Sequence, residues 1–235
     1  AQSRNLVSKT THFPSTYVIF IFGLLISRIG DSLYTFALPW IAYKLTGSAI
    51  IMSSLFAIGV LPIVLFGPIV GVVVDRFDRR KLMWVADVGC IILVSLIPLL
   101  YNLSVLQLWH LYAISFILAV LSMLFDVATI TVIPQIAGPS LTRANSAYQM
   151  VNQIASLAGP TLAGIIIALM GGINALWINA ISFMATLVAV LLLPKLEKKK
   201  PTDRAKTPLQ TIRNDMREGL KWLMNDRLNL ALSLQ

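Results

Sequence analysis

The sequence predicts an all-α membrane protein with six transmembrane helices. Composition is the first reason: 57% of the 235 residues are hydrophobic and only 12% are charged, against about a quarter charged in soluble domains. Mean hydropathy is +0.80. The second reason is segment length. Six apolar runs reach or exceed the roughly 20 residues that a helix needs to cross the hydrocarbon layer. The third is the lack of short alternating segments. Only helices and closed barrels satisfy their backbone in lipid, and these runs far exceed the ~10-residue strands of a barrel.

Residues 1–14 are polar, carry Arg4 and Lys9, and read as a cytoplasmic tail. The first residue is not Met, as expected of a processed or trimmed chain. The first span, Ser15–Tyr43, holds Arg28 and Asp31 at its middle. The second, Ser48–Val74, ends with Gly67 and Gly71 one turn apart. The third, Leu82–Tyr101, encloses the lone cysteine, Cys90, which reads as a small core residue. The fourth is Leu106–Pro134, with Asp126 in its last third. The fifth, Ala144–Met170, carries Gln149, Asn152 and Gln153 ahead of a Gly-Pro pair, and Ile173–Leu193 is the sixth. Residues 15–193 thus form one transmembrane domain.

Beyond it, 194–227 reads as a cytoplasmic linker with an amphipathic helix. Leu209, Ile212, Met216, Leu220 and Leu223 share one face, and Arg213, Arg217 and Lys221 form a basic stripe suited to an anionic lipid surface. Residues 228–235 read as the start of a truncated seventh span, so the chain is expected to be about half of something longer.

Basic residues orient the bundle. Arg76, Arg79, Arg80 and Lys81 lie between spans two and three, Arg143 between four and five, and Lys195, Lys198, Lys199, Lys200, Arg204 and Lys206 after six. The alternate connections hold only Lys44. The positive-inside rule puts the N-terminus in the cytoplasm. The net charge of +9 is then a topology signal and does not indicate nucleic-acid binding. His12 and His110 lack a second ligand at metal spacing. No H-E-x-x-H, G-x-S-x-G or glycine-rich phosphate loop occurs, so neither a metal site nor an enzyme is expected.

A charge in mid-membrane costs at least roughly 2.5–3.5 kcal/mol and usually faces a partner or an aqueous cavity. Arg28 and Asp31 are spaced i, i+3 on one helix face. Two readings stand side by side: a mutually neutralising structural pair, or a titrating Asp31 that carries a proton or meets a cationic substrate while Arg28 tunes it.

Residues 71–81 read GVVVDRFDRRK. A plain positive-inside loop requires Lys and Arg but no interleaved Asp75 and Asp78. Gly67 and Gly71 allow close helix approach. Asp75 is able to accept from N–H groups at a helix start, and Arg76 and Arg79 are able to clamp carboxylates. The pattern resembles the major facilitator superfamily signature G-x-x-x-D-R-x-G-R-[RK], matching at Gly71, Asp75, Arg76, Arg79 and Arg80, with Asp78 in place of a glycine. The resemblance implies an N-terminal six-helix half made of two inverted three-helix repeats. It implies that the loop latches two halves together, with Asp75 at the interdomain contact and Arg79 paired to Asp126, or to Asp87.

SRIGDSLYTFALPW, TGSA at 46–49 and LP at 61–62 resemble the macrolide-type and siderophore-type drug:H+ antiporter branch. Gly159, Pro160 and Gly164 resemble an antiporter motif, with Ala163 replacing one glycine. Gln149, Asn152 and Gln153 are candidate cavity residues. Many proton-coupled exporters carry an Arg on helix four; it is missing here, which counts against proton coupling, with Arg28 as the candidate substitute. What the resemblance implies is alternating-access, proton-coupled efflux of a lipophilic drug, macrolide or siderophore-like molecule, with Na+ as the alternative coupling ion and no cofactor. Its partners are a small-molecule substrate, the bilayer of a bacterial plasma membrane and a C-terminal six-helix half. The alternatives are a half-sized scaffold without transport of its own, or a carrier for another solute such as a lysolipid.

Overall fold

The computed structural model describes residues 13–137 and 140–194. The tail with Arg4, Lys9 and His12, the basic segment from Lys195, the amphipathic helix and the seventh-span start lie outside the described residues. Six helices occupy the rest: α1 (Ser15–Thr46), α2 (Ala49–Arg76), α3 (Arg79–Asn102), α4 (Leu108–Ile136), α5 (Leu141–Met170) and α6 (Gly172–Leu192). All six contain segments long and apolar enough to cross a membrane, so the protein is a multi-pass membrane protein. The expected spans hold to within a few residues. The helices outrun the apolar runs because polar first-turn residues such as Arg79 and Arg143 are helical too.

Local chemistry sets the helix ends. Gly47, at φ 67, ends α1 in the left-handed conformation that glycine tolerates, and its N–H donates to the Tyr43 carbonyl. Ser48 then caps α2, accepting from the Ile51 N–H. Gln107 and His110 form a reciprocal capping box at α4, with the Gln107 N–H donating to His110 Nδ1 at 3.0 Å.

The helices pack in a pattern that repeats. α1 packs on α5 and α6, α4 packs on α2 and α3, and α3 packs on α6. Exchanging α1 with α4, α2 with α5 and α3 with α6 returns the same set, as two three-helix repeats require. Because three is odd, successive repeats enter the membrane from opposite sides. In lipid, helix association relies on close packing and hydrogen bonds more than on removing apolar surface from water. Gly30 of α1 shows how close the approach is. A Cβ there would lie 1.9 Å from Ser182 Oγ and 2.7 Å from Ser182 Cβ on α6.

The buried core forms two layers. One gathers Tyr17, Leu24, Val74, Met83, Ile136, Ala144 and Val190 around the end of the bundle that carries the Asp75–Arg80 loop. The other gathers Leu33, Ile41, Cys90, Ile97, Leu111 and Leu176 toward the opposite end. Ties within the first layer include Tyr17 Oη donating to the Ala144 carbonyl at 2.7 Å. The second layer includes Tyr34 Oη donating to Ser115 Oγ at 2.9 Å, and Ser54 and Tyr112 join α2 to α4 by their hydroxyls.

Candidate functional site

Between these two layers lies a polar stratum. On α1 it falls between Leu24 and Leu33, on α3 between Ala86 and Cys90, and on α6 between Phe183 and Ala189. A small cavity of about 20 Å³ opens there, lined by Arg28, Asp31, Asp87, Ser122 and Asp126 among others. The Arg28 Nη2 donates to Asp126 Oδ1 across to α4, and Nη1 stands 3.7 Å from Asp31 Oδ2. One guanidinium therefore holds two carboxylates. The side chains of Arg28, Asp31 and Asp126 keep 22%, 35% and 40% of their surface exposed, whereas Asp87 is 3% exposed.

The sequence-based pairing of Arg79 with Asp126 is overturned here. Arg79 Nη2 lies 3.8 Å from Asp75 Oδ1 in the last turn of α2, and Asp126 belongs to Arg28. Depth explains the difference. Asp126 sits ten residues before the end of α4, about 15 Å at the helical rise, while Arg79 is the first residue of α3. Asp87, the other acid considered for Arg79, lies in the charged stratum instead.

In the 71–81 segment, where α2 turns into α3, Asp75 and Arg76 are exposed. It is Asp78, not Asp75, that caps the following helix: its carboxylate accepts from the Arg80 and Lys81 N–H groups at 3.1 and 3.4 Å. Arg80 donates Nε–H to the Val190 carbonyl at 3.1 Å and Nη2–H to the Leu191 carbonyl. A second correction concerns the glycines. An added Cβ at Gly67, Gly71 or Gly164 meets nothing within 4 Å among the described residues. Within this chain these positions support no close helix contact, because α2 and α5 are the least buried helices. Gly159 does support one: its Cβ would lie 2.1 Å from Ser32 Oγ of α1. Pro160 lies inside the continuous α5.

Gln149 and Gln153 line an open groove of about 650 Å³ with Thr142, Asn145 and Ser146. Asn152, half-buried, is not among its lining residues. Sequence reasoning missed Asp87 as a neighbour of the Arg28 cluster. The signal was available, since a lone acid eight residues into an apolar helix carries the same insertion cost that singled out Arg28 and Asp31.

The family profile described as Major Facilitator Superfamily matches residues 20–232. The chain belongs to the major facilitator superfamily. This major facilitator chain is 30% identical over 195 residues, 80% of its length and 47% of the relative's, to the multidrug efflux pump Tap of Mycolicibacterium fortuitum. It is 31% identical to the uncharacterized MFS-type transporter YfiS of Bacillus subtilis, covering 84% of this chain and 46% of the relative. With macrolide efflux protein A of Streptococcus pyogenes it shares 26% identity, over 90% of this chain and 52% of the relative. The chain thus spans about half the length of the curated relatives it matches. No solved structure matches it significantly.

Proposed function

We propose that this chain is the N-terminal half of a secondary active exporter that couples inward proton movement to outward movement of a lipophilic drug, macrolide or siderophore-like molecule. The observation that carries the reading is the charged stratum at mid-bundle, where Arg28 bridges Asp31 and Asp126. Ionic groups at that depth are costly, and those that face a bundle interior or cavity commonly mark substrate or ion pathways. The relatives named as multidrug and macrolide efflux proteins support the direction of transport, as does the antiporter-type Gly159-Pro160 segment packed against α1 beside Ser32.

In this reading the substrate binds near the membrane midplane, between this half and a second six-helix half. Asp31, partly exposed and held by Arg28, takes the proton. Asp75, exposed at the loop, is free to contact the second half when the pathway closes at that end, and Arg79 lies within reach to release or hold it. Such a contact is a two-state element of the kind alternating access uses. The N-terminus lies in the cytoplasm and the membrane is the plasma membrane of a bacterium. In this reading the chain acts as a carrier and not as an enzyme.

The test uses the full-length gene product in inside-out vesicles with an imposed pH gradient and a radiolabelled macrolide. Asp31→Asn is expected to abolish gradient-driven uptake while membrane insertion and helix content stay at wild-type levels. Undiminished gradient-driven uptake by the variant overturns the assignment of Asp31.

A further inference from the structure

Asp87 of α3 stands apart from the ion pairs around it. It is 3% exposed, and its Oδ2 is fully buried with no hydrogen-bond partner. It lines the same small cavity as Arg28, Asp31 and Asp126. An unpartnered oxygen in such a place is costly, and a third carboxylate beside a single guanidinium leaves a negative excess that the interior does not tolerate. The groups facing it complete the account. From α1 come Arg28 and Asp31, and from α4 come Asp126 and the neutral Ser122. From α6 comes Thr186, fully buried, and Cys90 lies on its own helix. Among the described residues no second cation lines the cavity. The Thr186 hydroxyl donates to the Phe183 carbonyl at 2.9 Å and also lies in hydrogen-bonding reach of the Asp87 carboxyl, while Oδ2 keeps no partner.

We infer that Asp87 is a second proton-binding residue, loaded and unloaded through the cavity it shares with Asp31. This rests on the proton-coupled reading above and extends it to a particular inner site. The gradient of exposure gives the direction of loading, since Asp31 is a third exposed and Asp87 is closed off. The cavity, at about 20 Å³, has room for one water, which needs about 10–15 Å³. In the transfer step the O–H bond on Asp31 breaks as one forms on Asp87 Oδ2. The intervening water takes one proton and releases another, so atoms and charge balance. A sodium ion is a poorer occupant, because the Arg28 guanidinium lines the same small space.

The experiment uses the full-length transporter in proteoliposomes. Dicyclohexylcarbodiimide modifies protonated carboxyls in apolar surroundings, and peptide mass spectrometry locates the adduct. An adduct at Asp87 is expected, with a yield that falls as pH rises and does not respond to sodium. Asp87→Asn is expected to lower pH-driven macrolide accumulation by at least about tenfold while leaving macrolide counterflow within about twofold. Asp87→Glu, which keeps the carboxyl, should retain coupling with a displaced pH profile. A purely structural Asp87 would leave the pH profile of both variants unmoved. Absence of the adduct, protection by sodium, or wild-type pH-driven accumulation in Asp87→Asn overturns the inference. Failure of the broader reading looks different: Asp31→Asn would then keep pH-driven transport, whatever labelling is found at Asp87.

Discussion

The bridge from Arg28 to Asp126 invites a double-mutant cycle, Arg28→Gln with Asp126→Asn, in the full-length protein. Two unit charges near 4 Å interact by about 4 kcal/mol at an effective dielectric of 20. Here 22% and 40% of the two side chains remain exposed, which weakens that interaction, and a charge-assisted hydrogen bond contributes about 1.5–3 kcal/mol net. A coupling energy in that range is expected. The two single variants should also differ. Asp126→Asn leaves Arg28 its contact with Asp31 at 3.7 Å, so it should cost only about 1–2 kcal/mol. Arg28→Gln strands two carboxylates and should cost about 2–4 kcal/mol, toward the figure for breaking a buried pair. The measurement is unfolding in mixed detergent micelles followed by circular dichroism, with the cycle closed by the double variant. A coupling below about 0.5 kcal/mol, or an Asp126→Asn variant less stable than Arg28→Gln, would refute the bridge as described.

Gly30→Ala should destabilise the same unfolding transition by about 1–3 kcal/mol, because Ser182 Cβ at 2.7 Å has nowhere to rotate; Gly164→Ala, which meets no neighbour in this chain, should stay within about 0.5 kcal/mol in the isolated half. Asp78→Ala removes the acceptor for two N–H groups and should cost about 1 kcal/mol, read as faster amide exchange confined to the first turn of α3.

Much of the fold was legible because the bilayer imposes length and apolarity, and both are one-dimensional properties. The six spans, the charged loop at 76–81 and the intramembrane Arg28 and Asp31 could be read residue by residue. The partner of Arg28 on α4 was not, since Asp126 was assigned by proximity along the chain to the end of its helix, and a ten-residue offset along α4 decides against Arg79. The glycines show the same limit. Gly30 and Gly71 look alike in the sequence, yet one is pressed against Ser182 and the other meets nothing within this chain. Which face of a helix turns toward a neighbour is decided by the whole bundle. The roles of Asp78 and Arg80 in fixing helix ends depend likewise on where α3 starts and α6 stops.

The grip of Arg80 on the last turn of α6 has a mechanical consequence. By filling carbonyls that a helix leaves open at its C-terminus, and by setting a positive charge against that terminus, it rivets the exit of α6 to the head of α3. Asp87 lies seven residues farther along the same rod, about two turns. The last turn of α6 and the first turn of α3 are therefore expected to shift together, with Asp87 carried on the helix that Arg80 anchors.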